Sequence, residues 1–151
     1  MTTKHFIAFI LVIFVFNSLI GCTKIRKNVN DIHLFNKISL DGWYTFLQNR
    51  GKNIDPLNIF SIKDSMIHIS GEEWGCITTE KEYSNYHLVV EFKWGGKTFG
   101  NRIDKARDSG ILLHSTGKDG GFSGIWMHSI ECQMIEGGTG DILVVGDGGN
   151  S

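Results

Sequence analysis

Residues 107–141 read RDSGILLHSTGKDGGFSGIWMHSIECQMIEGGTGD. Two runs of strand-like alternation, 109–114 and 127–135, are joined by a loop of Gly, Ser, Lys and Asp, which is the pattern of a hairpin. Successive side chains of a strand point to opposite faces of its sheet. In the second run Ile130, Cys132 and Met134 therefore share one face, and Ser129, Glu131, Gln133 and Ile135 share the other. The first face is apolar and is expected in a core. In the first run Asp108, Gly110, Leu112 and His114 fall together, opposed by Ser109, Ile111 and Leu113. If the two strands are neighbours, as a hairpin connection favours, Asp108 and His114 line the same groove as Glu131 and Gln133. A carboxylate and a carboxamide two residues apart, flanked by aromatic-rich sequence, suit a sheet that receives a sugar.

Outward from this stretch, most segments also read as short strands. Leu34 to Trp43 places Leu34, Phe35 and Trp43 around a turn at Asp41-Gly42 and reads as a first strand with a core-anchoring Trp. Residues 51–55 form a polar loop closed by Pro56. Ile59 to Ser70 alternates on either side of a turn at Asp64-Ser65, as a hairpin with one wet face does. Residues 76–79 read as a short strand after Trp74. Tyr83 to Trp94 carries the strongest strand signal, with Leu88, Val90, Phe92 and Trp94 facing one way and His87, Val89, Glu91 and Lys93 the other. Residues 95–105 form a Gly-rich, charged loop, and 142–145 one more strand. No helix follows the glycines near the carboxyl end, so a phosphate-cradling loop is not indicated.

Composition agrees with an all-β domain. Among 151 residues there are 19 Gly and a single Pro, enough for many turns, and 10 Phe with 4 Trp supply both a core and surface for sugar stacking. The 15 basic side chains nearly balance the 16 acidic ones, so no basic patch argues for nucleic acid as a partner.

The amino terminus reads as a targeting segment. Lys4 precedes the apolar run from Phe6 to Ile20, which ends in Leu19-Ile20-Gly21-Cys22 and resembles the lipobox of bacterial lipoproteins. Residues 1–21 are thus expected to be a signal peptide and Cys22 to be lipidated. Residues 22–30 would be a tether, and 31–151 a domain held on the membrane surface of a bacterial cell envelope. An uncleaved anchor and an ordinary cleaved signal are the competing readings. Loss of Lys4 with the leader moves the formal net charge from −1 to −2. Cys76 and Cys132 are free to form one disulfide in an oxidising compartment or to stay as buried thiols. No Cys or His stands at zinc-ligand spacing, and Asp141 with Asp147 in Gly-rich turns is weak ground for calcium, so no metal or other cofactor is expected.

Four blocks carry a resemblance to a known family: LFNKISLDGW (34–43), TTEKEYSNYHLVVEFKW (78–94), RDSGILLH (107–114) and IECQMIEGGTGD (130–141). Their wording, order and spacing are similar to the 3-keto-disaccharide hydrolase family over residues 31–151. The resemblance implies a concanavalin A-like jelly roll, an antiparallel β-sandwich whose concave face binds carbohydrate. It also implies more strands than this sequence supplies, so the chain is expected to be the amino-terminal part of such a domain, poorly stable in isolation.

The implied substrate is a glycoside or disaccharide oxidised to a ketone at carbon 3. The ketone acidifies the carbon 2 proton, so a base can remove it, the glycosidic oxygen is expelled, and water then adds. The residues that suit these roles are Glu131 as base, Arg107 or His114 for the enolate oxygen, and Asp108 or Glu136 as acid or as the partner that orients Arg107. Gln133, Glu91, Trp74 and His128 would contact the sugar. Two other classes compete. A retaining glucanase is suggested by the outline of ECQMIE, but Glu131 and Glu136 would need a bulge between them to share a groove. A non-catalytic carbohydrate-binding module would rest on Trp74, Trp94 or Trp126.

Overall fold

The computed structural model describes residues 31–146, all but its first two within the unit His33–Ser151. Eight strands follow one another: β1 (Trp43–Leu47), β2 (Gly51–Lys52), β3 (Phe60–Lys63), β4 (Met66–Ile69), β5 (Gly75–Thr79), β6 (Asp108–Thr116), β7 (His128–Ile135) and β8 (Ile142–Val145). A single 3-10 turn, Gly100–Arg102, interrupts the loop before β6. Every ladder is antiparallel, in the sheet orders β2-β1-β5, β3-β4 and β6-β7-β8. The domain is all-β and antiparallel, as the jelly-roll expectation requires.

The β3–β4 hairpin forms where the alternation placed it. Asp64 and Ser65 both take positive φ, 52° and 58°, the twist that a two-residue hairpin turn needs. The register Phe60↔Ile69 and Ile62↔Ile67 keeps the apolar side chains on one face. Asp55 fixes the approach to β3 by accepting the backbone N–H groups of Ile59 (2.8 Å) and Phe60 (2.9 Å). Those two side chains are thereby delivered to a small core with Leu47, against which Leu40 and Ile77 pack. Gly75 lies opposite Leu47 in the β1–β5 ladder, where any side chain would run into Leu47.

The β6–β7 connection folds back on sheet β2-β1-β5. Tyr44 donates its hydroxyl to Asp119 at 3.0 Å, and Gln48 Nε2 donates to the Ser123 carbonyl at 3.1 Å. Ile125, within this connection, is buried. These contacts tie the sheet that carries Glu131 to the sheet that holds the core.

Three expectations need correction. Residues 34–42 are irregular and β1 starts only at Trp43, because Asn36, Ser39 and Asp41 bond among themselves and to local N–H groups instead of joining a ladder. Residues 83–94 carry the clearest alternation yet belong to no ladder, since alternation decides which way side chains point and supplies no partner. The face of Ile130, Cys132 and Met134 is also not a closed core. Ile130 is 42 % exposed, and Ile142 and Val144 beside it on β8 are 66 % and 67 % exposed, because no second layer lies over them among the described residues.

Candidate active site

The β6–β7 ladder runs unbroken from Asp108↔Ile135 to Leu113↔Ile130 and opposes Gly110 to Gln133 and Leu112 to Glu131. Asp108, Gly110, Glu131 and Gln133 therefore share one face, as the alternation required. Gly110 sets the geometry. A Cβ at that position would overlap the carboxyl of Glu131, so the missing side chain leaves a slot in which that carboxyl lies. An isolated glycine within a strand is the sequence signal for such a close approach, although alternation alone gives it no role. Burial, and next the charge of Asp108, push the Glu131 carboxyl above the ordinary carboxylate range.

Asp108 sits at the centre of a polar row. Its Oδ1 accepts Gln133 Nε2 at 3.1 Å, and its Oδ2 pairs with Arg102 Nη2 at 3.1 Å. The Gln133 backbone is held on both sides by the 139–141 turn, through Gln133 N to Asp141 O and Gly140 N to Gln133 O. Two enclosed atoms of this row, Gln133 Oε1 and Arg102 Nε, have no partner among the described residues. Arg102 went unnoticed in the sequence because it comes from the irregular 95–105 loop, where no periodicity indicates direction. The 3-10 turn and a bond from Arg102 Nη2 to the Ala106 carbonyl, 2.6 Å, aim it.

Arg107 and Glu136 form a separate unit. Glu136 Oε2 accepts Arg107 Nε (3.0 Å) and the Arg107 backbone N–H (3.2 Å), and the guanidinium also pairs with Oε1. Hydrogen bonds from the Arg107 side chain, and then from its backbone, pull the Glu136 carboxyl down to about 2. The third arm of Arg107 reaches the Gly95 carbonyl, and its guanidinium lies 5.9 Å from the Trp94 ring.

The remaining candidates stand apart from the row. The ladder register shifts between Leu113 and Thr116, and His114 takes φ 52°, so the alternation that grouped it with Asp108 ends one residue earlier. His114 is exposed and stacks on Tyr86 at 5.8 Å and 24°. His128 opens β7 among Gly117, Gly121 and Gly146, away from the Glu131 face. Trp74 packs edge-on against Trp126 at 5.8 Å. Glu91 is exposed in the unpaired 83–94 segment. Cys76 and Cys132 are both free, and burial raises the Cys76 thiol. Cys22 and Asp147 lie outside the described residues, and no group of three or more potential metal ligands gathers among those described.

The domain is thus an all-β antiparallel one in which acids, an amide and a guanidinium gather beside one sheet face. The chain belongs to the 3-keto-alpha-glucoside-1,2-lyase-like domain family, whose model matches residues 30–149. Membership carries, at the coarse level, an activity of the glycoside lyase or hydrolase type and a carbohydrate substrate. No curated protein and no solved structure matches the chain.

Proposed function

We propose that the domain cleaves 3-keto-glycosides by elimination, with Glu131 as the base that removes the carbon 2 proton. The observation that carries this reading is the Glu131 carboxyl seated in the Gly110 slot, its proton affinity raised by burial and by Asp108. A carboxylate so placed is a stronger base than one in water, and the ketone makes the carbon 2 proton acidic enough for it. The C2–H electrons form the enolate, the C1–O bond breaks, and the aglycone oxygen leaves and takes a proton. Water then adds to the unsaturated product.

Arg102, though it also pairs with Asp108, supplies positive charge for the enolate oxygen because it stands in the polar row with Asp108, whereas Arg107 is turned to Glu136 and Gly95. Gln133 Oε1, enclosed and unpaired, accepts a sugar hydroxyl. Glu136 at about 2 and Asp108 in its pair with Arg102 both hold guanidinium groups, so the proton for the leaving oxygen comes from another carboxyl. The β7 register is unbroken from Ile130 to Ile135, with no bulge between Glu131 and Glu136, so the geometry of a retaining glucanase finds no support.

The leader and Cys22 support a lipid-anchored protein of the bacterial cell envelope. Accumulation of the precursor under globomycin is the expected result, and its absence would refute the anchor. For the chemistry, Glu131→Gln in the full chain is expected to lower cleavage of a 3-keto-glycoside by about 10²- to 10⁴-fold. Undiminished cleavage would remove Glu131 as the base.

A further inference from the structure

The segment with the strongest alternation lies along a sheet edge without joining it. Sheet order β6-β7-β8 leaves the outer edge of β6 open among the described residues. Residues 86–95 make no backbone-to-backbone hydrogen bond among the described residues, and Leu88, Val89, Val90 and Phe92 are exposed, Val89 at 73 %. Yet the segment is fastened at both ends. Tyr86 stacks on His114 at one end, and Trp94 with the Gly95 carbonyl meets Arg107 at the other. As the segment advances from 86 to 95 its partners fall from 114 to 107, so it runs antiparallel to β6.

The two fastenings limit the register to within one residue, and the faces decide the rest. If Glu91 opposes Gly110, Leu88 falls beside Leu113 and Ile130, and Val90 falls beside Ile111 and Cys132, extending the apolar face. A slip of one residue either way would set that apolar side against Asp108 and Gly110 instead. We propose that residues 86–95 close on β6 as a fourth strand in the register Glu91↔Gly110, and that Glu91 is then the acid that protonates the leaving oxygen. Neighbouring strands lie about 4.8 Å apart. With no side chain on Gly110 and the Glu131 carboxyl lying over it, the Glu91 carboxyl arrives about one strand spacing from the base, facing the same sugar. The proton moves from Glu91 to the aglycone oxygen as the C1–O bond breaks, and Glu91 is left as the carboxylate.

The register stands on the two fastenings and on the faces alone, whereas the acid role rests on the elimination reading given above. The tests separate the two. In the full chain, Val89→Cys with Leu112→Cys is expected to cross-link under mild oxidation, with peptide mapping to distinguish the new bridge from Cys76 and Cys132. The slipped pair, Val90→Cys with Leu112→Cys, is expected to remain open. Equal or preferential bridging of the slipped pair would overturn the register. Uniformly fast amide exchange across 86–95 in the unsubstituted protein, with and without a 3-keto-glycoside, would overturn the closure itself.

Glu91→Gln is expected to lower kcat on an alkyl 3-keto-glycoside by about 10²-fold. It should spare a nitrophenyl 3-keto-glycoside, whose leaving group needs no proton, a split that mere loss of structure would not give. Equal losses on both substrates would refute the acid role. If the unsubstituted protein cleaves neither, the elimination reading and the acid role fall together, and the cross-link still decides the register.

Discussion

Glu131 and Glu136 mark two regions of the same strand-and-turn, and their surroundings drive them in opposite directions. At the middle of β7 the Glu131 carboxyl lies in a slot left by glycine, partly out of water and near Asp108, and its affinity for a proton rises. Just past the end of β7 the Glu136 carboxyl is gripped by the guanidinium and the backbone N–H of Arg107, and its affinity falls to about 2. Desolvation disfavours the charged form, while hydrogen bonds and an opposite charge favour it. One glutamate is thereby prepared to exchange a proton and the other to hold a loop.

The contrast predicts its largest effect on turnover. Glu131→Gln should reduce kcat/KM on a 3-keto-glycoside by about 10²-fold or more. Glu136→Gln should leave kcat within a few-fold, its effect being confined to the posture of Arg107 and the segment that Arg107 fastens. Equal losses in steady-state assays of the two variants would abolish the distinction.

Gly110→Ala probes the slot directly. The new methyl meets the end of a flexible side chain, so Glu131 swings aside, and the off-rotamer cost is about 0.5–1.5 kcal/mol. Displacing the base by about an ångström is expected to cost about 10²-fold in rate. A fall in rate with a melting temperature lowered by no more than several degrees supports the slot; full activity would contradict it.

Stability should move the other way at Glu131. Its folded-state proton affinity is raised, so the ionised form opposes folding, and that penalty appears as pH rises through the raised value. Glu131→Gln should therefore melt higher than the parent at neutral pH and show no advantage below the ordinary carboxylate range. Thermal scans over pH would show it. A parent that is the more stable at neutral pH would mean that the carboxylate is held by favourable contacts.

How much of this could be read from the sequence depended on whether a local residue fixed a partner. The β3–β4 hairpin was legible because Asp64-Ser65 turns the chain and two strands so joined have only each other to pair with. The face shared by Asp108, Glu131 and Gln133 was legible because period-two alternation needs only a regular strand. It failed at His114, where one extra residue in the ladder breaks the period and nothing in the sequence marks the break. It also failed for residues 83–94, where the faces were clear but the neighbour was not. The opposite ionisation of Glu131 and Glu136 was beyond pattern altogether. It arises from a glycine across the ladder in one case and a distant arginine in the other, and each is known only once the register is known.

The smallest expected effect belongs to the Arg107–Glu136 pair, and its sign is definite. A carboxyl lowered from an ordinary 4.5 to about 2 stabilises the fold fully above its unfolded-state value. That contribution disappears as pH falls from about 4.5 toward about 2, because the unfolded chain binds the proton more readily than the folded one. Glu136→Gln should flatten this acid limb of the stability curve, while Glu131→Gln leaves it in place. Both partners of the pair face solvent, so added salt should shrink the limb in the parent by screening. An acid limb identical in the parent and in Glu136→Gln would mean that water competes successfully for the guanidinium, and that the Gly95 and Trp94 contacts alone hold Arg107 against the edge of β6.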